Sequence, residues 1–244
     1  MHRFYPDPGM SRDDLEFLTA EDSHHALTVL RLKTGAQVEV ISAGLPWLAE
    51  IVGQENRIVC VRKVNPLPST EPKLAVTLFQ GLPKADRMDW VVQKVTELGV
   101  SRIVPVALER CVVRLSQADS GKKLERWRKI AREAGKQCCR CVLPEILPPM
   151  TIGQLVSWEH LPALNAVPWE EATGFGPLAL HNAFPVTDSL GILIGPEGGI
   201  SPEEIDLLQS RGFIPMTLGK RILRTDTAGI AAVSALMSLY GEME

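Results

Sequence analysis

The stretch ILIGPEGGISPEEIDLL (192–208) passes from an apolar run, through a loop holding Gly195, Gly198 and Gly199, into a helix opened by Ser201. A strand, glycine loop and helix in that order suggest an α/β sheet and, by default, a phosphate cradle at the helix N-terminus. Here the helix start is already occupied. Ser201 is a strong N-cap, Pro202 fits the first helical position, and Glu204 completes a capping box. Glu203, Glu204 and Asp206 crowd the positive helix end, and Glu197 adds a carboxylate to the loop. The Lys-Ser/Thr of a P-loop and the GxGxxG spacing are both missing. Phosphate is disfavoured, leaving a ligand that bonds to backbone amides and accepts negative charge: hydroxyls, an adenine edge or a cation. A tight turn with three glycines and no ligand is the plainer alternative.

A second loop, LGKRILRTDTAG (218–229), also joins a strand to a helix. Arg224 stands just before that helix, where a cation meets the positive end of the dipole. The placement makes sense if an anion lies between them. A surface pairing of Arg224 with Asp226 is the plainer alternative. The final helix is rich in Ala and Gly (Ala228, Gly229, Ala231, Ala232, Ala235) and so suits close packing.

Around these loops, strands and helices alternate from Lys73 onward. AVTLFQ and its neighbours (74–80), RIVPV (102–106), ALNAV (163–167), GILIG (191–195) and IPMTLG (214–219) read as strands. Residues 84–99 read as an amphipathic helix with Met88, Val91, Val92, Val95 and Leu98 on one face and Gly99 as its stop. Residues 122–137, 201–211 and 225–241 read as further helices. Alternation of this kind predicts a mostly parallel sheet covered on both faces, with ligands beyond the carboxyl ends of its strands. Residues 1–66 differ: AQVEVIS (36–42), PWLAEIVG (46–53) and NRIVCVRKV (56–64) are short β-branched runs, and only 21–32 reads as helix. This is a small barrel-like module. NPLPSTEP (65–72) has linker composition, so the expected domains are 1–66 and 74–244, joined by 67–73.

The 244 residues are 45% hydrophobic and 23% charged, ordinary for a globular protein. No apolar run is long enough for a membrane span, and MHRFYPDPGM lacks the apolar core of a signal peptide, so a cytoplasmic protein is expected. The five cysteines (60, 111, 138, 139 and 141) and five histidines show no metal-binding spacing, and no metal is expected. The net charge of −3 conceals a basic stretch: residues 110–140 hold ten Lys/Arg against three acids, a charge of +7 that leaves −10 elsewhere. A basic patch on an acidic body points to a polyanionic partner, a solvated helix face being the alternative. Together, the two loops and the basic helix fit a nucleotide-like cofactor with a positive centre beside a polyanion. S-adenosylmethionine beside RNA is the natural candidate.

The sequence resembles the RsmE family, the 16S rRNA uridine-N3 methyltransferases of the SPOUT class. The resemblance is carried by HRFY (2–5), HHALTVLRLKTG (24–35), KADRMDWVVQKVTELGV (84–100), RWRKIAREAGKQCCR (126–140), IGPEGGIS (194–201) and LGKRILRTDTA (218–228). It implies a PUA-like β-barrel followed by an α/β domain with a trefoil knot, working as a homodimer on 16S rRNA of the small ribosomal subunit. It implies that Gly195, Pro196, Glu197, Gly198, Leu218, Gly219, Ile222 and Leu223 bind S-adenosylmethionine. The end of the strand near 167–169 would supply another wall of that pocket. It implies that Arg224 stands at the reaction centre. The base is unidentified, and Asp226 is a candidate for it. Arg3, Arg31, Lys33, Arg128, Arg132, Lys136 and Arg140 are expected on RNA phosphates. The chain departs from the family in carrying Asp226 and Asp89 where Glu is usual, and Cys138–Cys139 where small polar residues are usual. A 2′-O-ribose methyltransferase of the same class and a non-catalytic ribosome-assembly factor are the rival readings.

Overall fold

The computed structural model describes residues 1–7, 9–12, 14–113 and 117–244, which divide into two compact units. The first comprises Met1–Glu71 with Gly135–Val142, and the second Pro72–Ala134 with Leu143–Glu244. The sequence reading runs the second domain unbroken from 74 to 244, whereas 135–142 lies in the first unit. Arg114 of the basic stretch falls outside the described residues. Among the described residues no helix is long and apolar enough to cross a membrane.

The first unit is a mixed five-stranded sheet in the order β1-β3-β4-β5-β2: β1 (Arg3–Phe4), β2 (Leu15–Phe17), β3 (Gln37–Ser42), β4 (Leu45–Glu55) and β5 (Ile58–Pro66). Its pairings are antiparallel except β1 with β3. Both hairpins turn through two residues at positive φ, Ala43 and Gly44 (51° and 76°) and Asn56 and Arg57 (49° and 66°). This left-handed geometry matches the twist of the flanking strands. The alternating residues Val38 and Val40, Ala49 and Ile51, and Val59 and Val61 point into one core with Phe4 and Leu18. An isolated bridge of Pro6 with Leu18, and the Asp7 amide donating to Phe17 O (2.8 Å), bring the two sheet edges together. In place of the single helix expected over 21–32 there is α1 (Ala20–His24), capped by Thr19, and then a π-helical turn (His25–Val29). Arg31 follows at φ 53°.

The segment 135–142 is braced within this unit by buried charge pairs. Glu71 accepts from Arg140 Nε (2.9 Å) and from the amides of Cys141 and Val142. The Arg140 carbonyl accepts from Arg3 Nη1 (3.0 Å) and from the Tyr5 hydroxyl (2.8 Å). Arg3 also pairs with Glu39, and Lys136 with Asp22 at 2.6 Å. Burial pushes the Tyr5 phenol well above its usual pKa. Arg3, Lys136 and Arg140, expected on RNA, are thus engaged inside the protein. A buried charge keeps its partner because losing it is costly.

The second unit is built on a seven-stranded parallel sheet. Its strands are β6 (Ala75–Gly81), β7 (Arg102–Ala107), β8 (Glu145–Ile146), β9 (Met150–Thr151), β10 (Leu164–Pro168), β11 (Ser189–Ile194) and β12 (Phe213–Met216), in the order β12-β10-β11-β6-β7-β8, with β9 also pairing with β7. The interior strands are largely apolar, as burial on both faces requires, with Thr77, Gln80 and Asn165 as buried polar exceptions. The helices are α2 (Arg87–Glu97), α3 (Gln117–Gln137, of which the part up to Ala134 belongs to this unit), α4 (Ile152–Val156), α5 (Pro177–Ala183), α6 (Pro202–Gln209) and α7 (Thr225–Leu239). Met88, Val91, Val92 and Val95 of α2 are buried as their spacing predicts. β6 is the switch point: β7 follows it on one side, while β11 lies on the other. The loops after β10, β11 and β12 therefore gather at one end of the sheet, where open α/β sheets hold their ligands.

Candidate active site

Those loops frame a cavity of about 510 Å³. One wall is Pro168, Trp169 and Glu170 after β10, and a second is residues 194–197 with Gly199 and Ile200 after β11. The third is the whole run 217–224 after β12, closed by Thr225 and Ala228 of α7 and by Arg87 of α2.

The glycine loop is held from inside the protein. The Gly199 amide donates to Pro196 O (3.0 Å), and Gly199 sits at φ 73°, where a side chain would be strained. A Cβ on Gly195 would meet Ile200 Cγ1 at 2.7 Å, and one on Gly198 would meet Arg110 Cβ at 2.9 Å. Packing therefore requires both glycines. Ser201 and Glu204 form the expected capping box, and Glu204 also accepts from the Glu109 amide (2.8 Å). Glu197 accepts from the Lys84 amide (3.0 Å) and from Arg87 Nη1 (3.3 Å). Its carboxylate fastens the loop after β6 to the loop after β11. The charge that the sequence offers to a cationic ligand is engaged by Arg87.

The two loops are locked together at Thr225. Its hydroxyl donates to Gly195 O (2.6 Å) and accepts from Gln80 Nε2 (2.9 Å), a side chain wholly buried at the end of β6. Arg224 is the N-cap of α7 with extended backbone and no side-chain cap bond. It is exposed and lines the cavity, and among the described residues no hydrogen bond or ion pair engages its guanidinium. Arg87, Lys220, Arg221 and Arg224 line the cavity against Glu170 and Glu197, a wall that favours anions. Trp169 Nε1 is buried without a hydrogen-bond partner among the described residues.

The RNA methyltransferase domain family matches residues 70–237, and the RNA methyltransferase PUA domain family matches residues 18–62. Ribosomal RNA small subunit methyltransferase E of Bacillus subtilis is 33% identical over 90% of this chain and 88% of its own length. This chain belongs to the ribosomal RNA small subunit methyltransferase E family. Solved structures agree. The family member from Neisseria gonorrhoeae, bound to S-adenosylmethionine, is 30% identical, with a TM-score of 0.86 covering 100% of both chains. A methyltransferase from Legionella pneumophila in complex with the same cofactor is 33% identical, with a TM-score of 0.83 covering 97% of this chain and 96% of that one.

Of the residues that the family resemblance assigns to the cofactor, the cavity gathers Gly195, Pro196, Glu197, Leu218, Gly219, Ile222 and Leu223. Gly198 is not in its wall and faces Arg110 instead. Arg224 is in the wall but Asp226 is not; Asp226 Oδ1 is buried, with no hydrogen-bond partner among the described residues. Arg31 and Lys33 are exposed. Arg128 is exposed on α3, with one guanidinium nitrogen on Ile146 O (3.3 Å), and Arg132 is half-buried on the same helix. Sequence reasoning missed Glu170, Arg87, Lys220 and Arg221 as lining residues. Lys220 and Arg221 lie within LGKRILRTDTA, so their signal was present. Arg87 likewise lies within KADRMDWVVQKVTELGV, whereas Glu170 carries no local signal.

Proposed function

We propose that this chain transfers the methyl group of S-adenosylmethionine to N3 of a uridine in 16S ribosomal RNA of the small subunit, as a cytoplasmic homodimer. The observation that carries this reading is Arg224, a cation with no protein partner among the described residues, in the wall of the cavity framed by residues 195–199 and 217–223. The solved relatives named above hold the same cofactor.

The residues present fit that cofactor. A cavity of about 510 Å³ suits a ligand of its size. Leu218, Ile222, Leu223 and Ile200 give apolar surface for an adenine. S-adenosylmethionine, when bound, supplies an electrophilic methyl on a sulfonium. What the chain must add is alignment and stabilisation of the nucleophile. Uracil N3 becomes nucleophilic on losing its proton, and the charge then spreads to O2 and O4. Arg224 meets that charge, its guanidinium unengaged among the described residues and the following Thr225 anchored to Gly195 and Gln80. Asp226 lies off the cavity wall, and no proton transfer is assigned to it.

The knotted topology is part of the same proposal. Supporting it, the chain leaves the edge strand β12 and returns so that Thr225 bonds to Gly195 and Gln80, at the ends of β11 and β6. Two domains joined near residues 67–73, the first binding RNA, complete the reading.

Mass mapping of ribosomal RNA from a deletion strain, with and without the restored gene, tests the function. Loss and return of one N3-methyluridine is expected; a 2′-O-methyl signal, or none, would overturn it. Two further outcomes are expected. Arg31→Ala with Lys33→Ala should flatten the slope of log binding constant against log salt by about one per lost phosphate contact. An unchanged slope removes these residues from the RNA surface. Glu197→Gln keeps an acceptor for the Lys84 amide and loses only an ion pair whose side chains are 23% and 36% exposed. It should therefore shift stability by under about 1 kcal/mol and cofactor affinity by less than about threefold. A larger loss of affinity in calorimetry would restore Glu197 as a direct cofactor contact.

A further inference from the structure

Two carboxylates line the cavity, and they are not equivalent. Glu197 is engaged by Arg87 and the Lys84 amide. Glu170 is exposed, and among the described residues no hydrogen bond or ion pair engages it. Its position is nonetheless fixed. Glu170 follows the end of β10, which lies between β11 and β12 in the sheet. The Trp169 amide donates to Met216 O (2.9 Å), and the Ala172 amide donates to Trp169 O (3.1 Å) to close a turn around Glu170. On the other side, the carboxylate lies over the glycine loop, where a Cβ built on Gly199 would stand 3.0 Å from Glu170 Oε1. Gly199 leaves the room that Glu170 uses.

A carboxylate with no protein partner, held over the backbone of a ligand loop, is suited to a cation or to paired hydroxyls. The rest of the wall is cationic, through Lys220, Arg221 and Arg224, so Glu170 is the one place in it where a positively charged group of a ligand finds an unengaged acid among the described residues. We propose that Glu170 is the counter-ion for the ammonium group at the methionine end of the methyl donor, and that it orients that end away from the cationic loop 220–224. This inference rests on the methyltransferase reading.

Calorimetric titration of the full chain and of Glu170→Gln and Glu170→Asp tests it. The probes are S-adenosylmethionine and S-adenosylhomocysteine, which carry the ammonium, and 5′-methylthioadenosine, which keeps the nucleoside and lacks it. Glu170→Gln is expected to weaken the first two by roughly 10-fold or more while changing methylthioadenosine by less than about twofold. Glu170→Asp should recover part of the loss. Retained binding of methylthioadenosine shows that the variant is folded. Equal losses for all three probes would place Glu170 on the ribose, and no loss for any would leave it without a ligand; either result overturns the proposal. If the unaltered chain binds none of the probes, the methyltransferase reading itself fails.

Discussion

Replacing Arg224 by alanine is expected to lower methyl transfer to ribosomal RNA by roughly 10²–10³-fold, the usual cost of removing one preorganised donor from a developing anion. Affinity for S-adenosylmethionine should change little, because the guanidinium is assigned to the nucleobase. The split between rate and cofactor binding is the useful readout. Arg224 caps α7 through its backbone alone, and no side-chain bond of its own holds the helix start. That anchorage belongs to Thr225, whose hydroxyl spans Gly195 and Gln80. Truncating Arg224 thus leaves the cavity intact. Arg224→Lys keeps the charge and loses the planar fork, so an intermediate rate is expected. Normal turnover by Arg224→Ala would remove the residue from the chemistry and leave Lys220 and Arg221 as the remaining cations of that loop. Measuring single-turnover rates and calorimetric affinities on the same preparations decides between these outcomes.

How far the sequence reaches can be judged from particular residues. The buried face of α2 and the capping box at Ser201 are local patterns, spaced by the helix period, and both are present. The strands of the first unit are equally local, since alternation over six to eleven residues marks a half-buried face. The order of the parallel strands is not local, and neither are charge pairings. Arg87 lies 110 positions from Glu197, and Arg140 lies 69 from Glu71. Composition alone reads such residues as free charges, so Arg3, Lys136 and Arg140 looked like phosphate ligands although each has an acid beside it. The candidate site divides in the same way. The loops 194–201 and 218–228 are legible because a carboxylate within a glycine loop and an arginine just before a helix start are unusual at strand–helix junctions. Glu170 is invisible, because only the folded sheet brings it over Gly199.

Gly81→Ala should be strongly damaging, costing about 3 kcal/mol of stability and most of the cofactor binding. Gly81 ends β6 and is paired with Val106 in the sheet. A Cβ there would lie 2.7 Å from Pro196 N, 2.8 Å from Ile194 O and 2.9 Å from Gly195 C. All three atoms are backbone, so no rotamer change relieves the clash. The loop after β11 must move back, and Gly195 O then leaves the Thr225 hydroxyl that now reaches it at 2.6 Å. The disturbance therefore passes to both halves of the cavity at once. Gly121→Ala is the control. Gly121 lies within α3 with nothing inside 4 Å of a built Cβ, so alanine should stabilise it by about 0.5–1 kcal/mol through helix propensity. Thermal unfolding should show opposite signs for the two substitutions, and calorimetry should show a loss of cofactor affinity for the first alone. If Gly81→Ala bound S-adenosylmethionine as the unaltered chain does, the glycine loop would not depend on the strand beneath it. The account of the site as two backbone loops locked through Gln80 and Thr225 would then have to be abandoned.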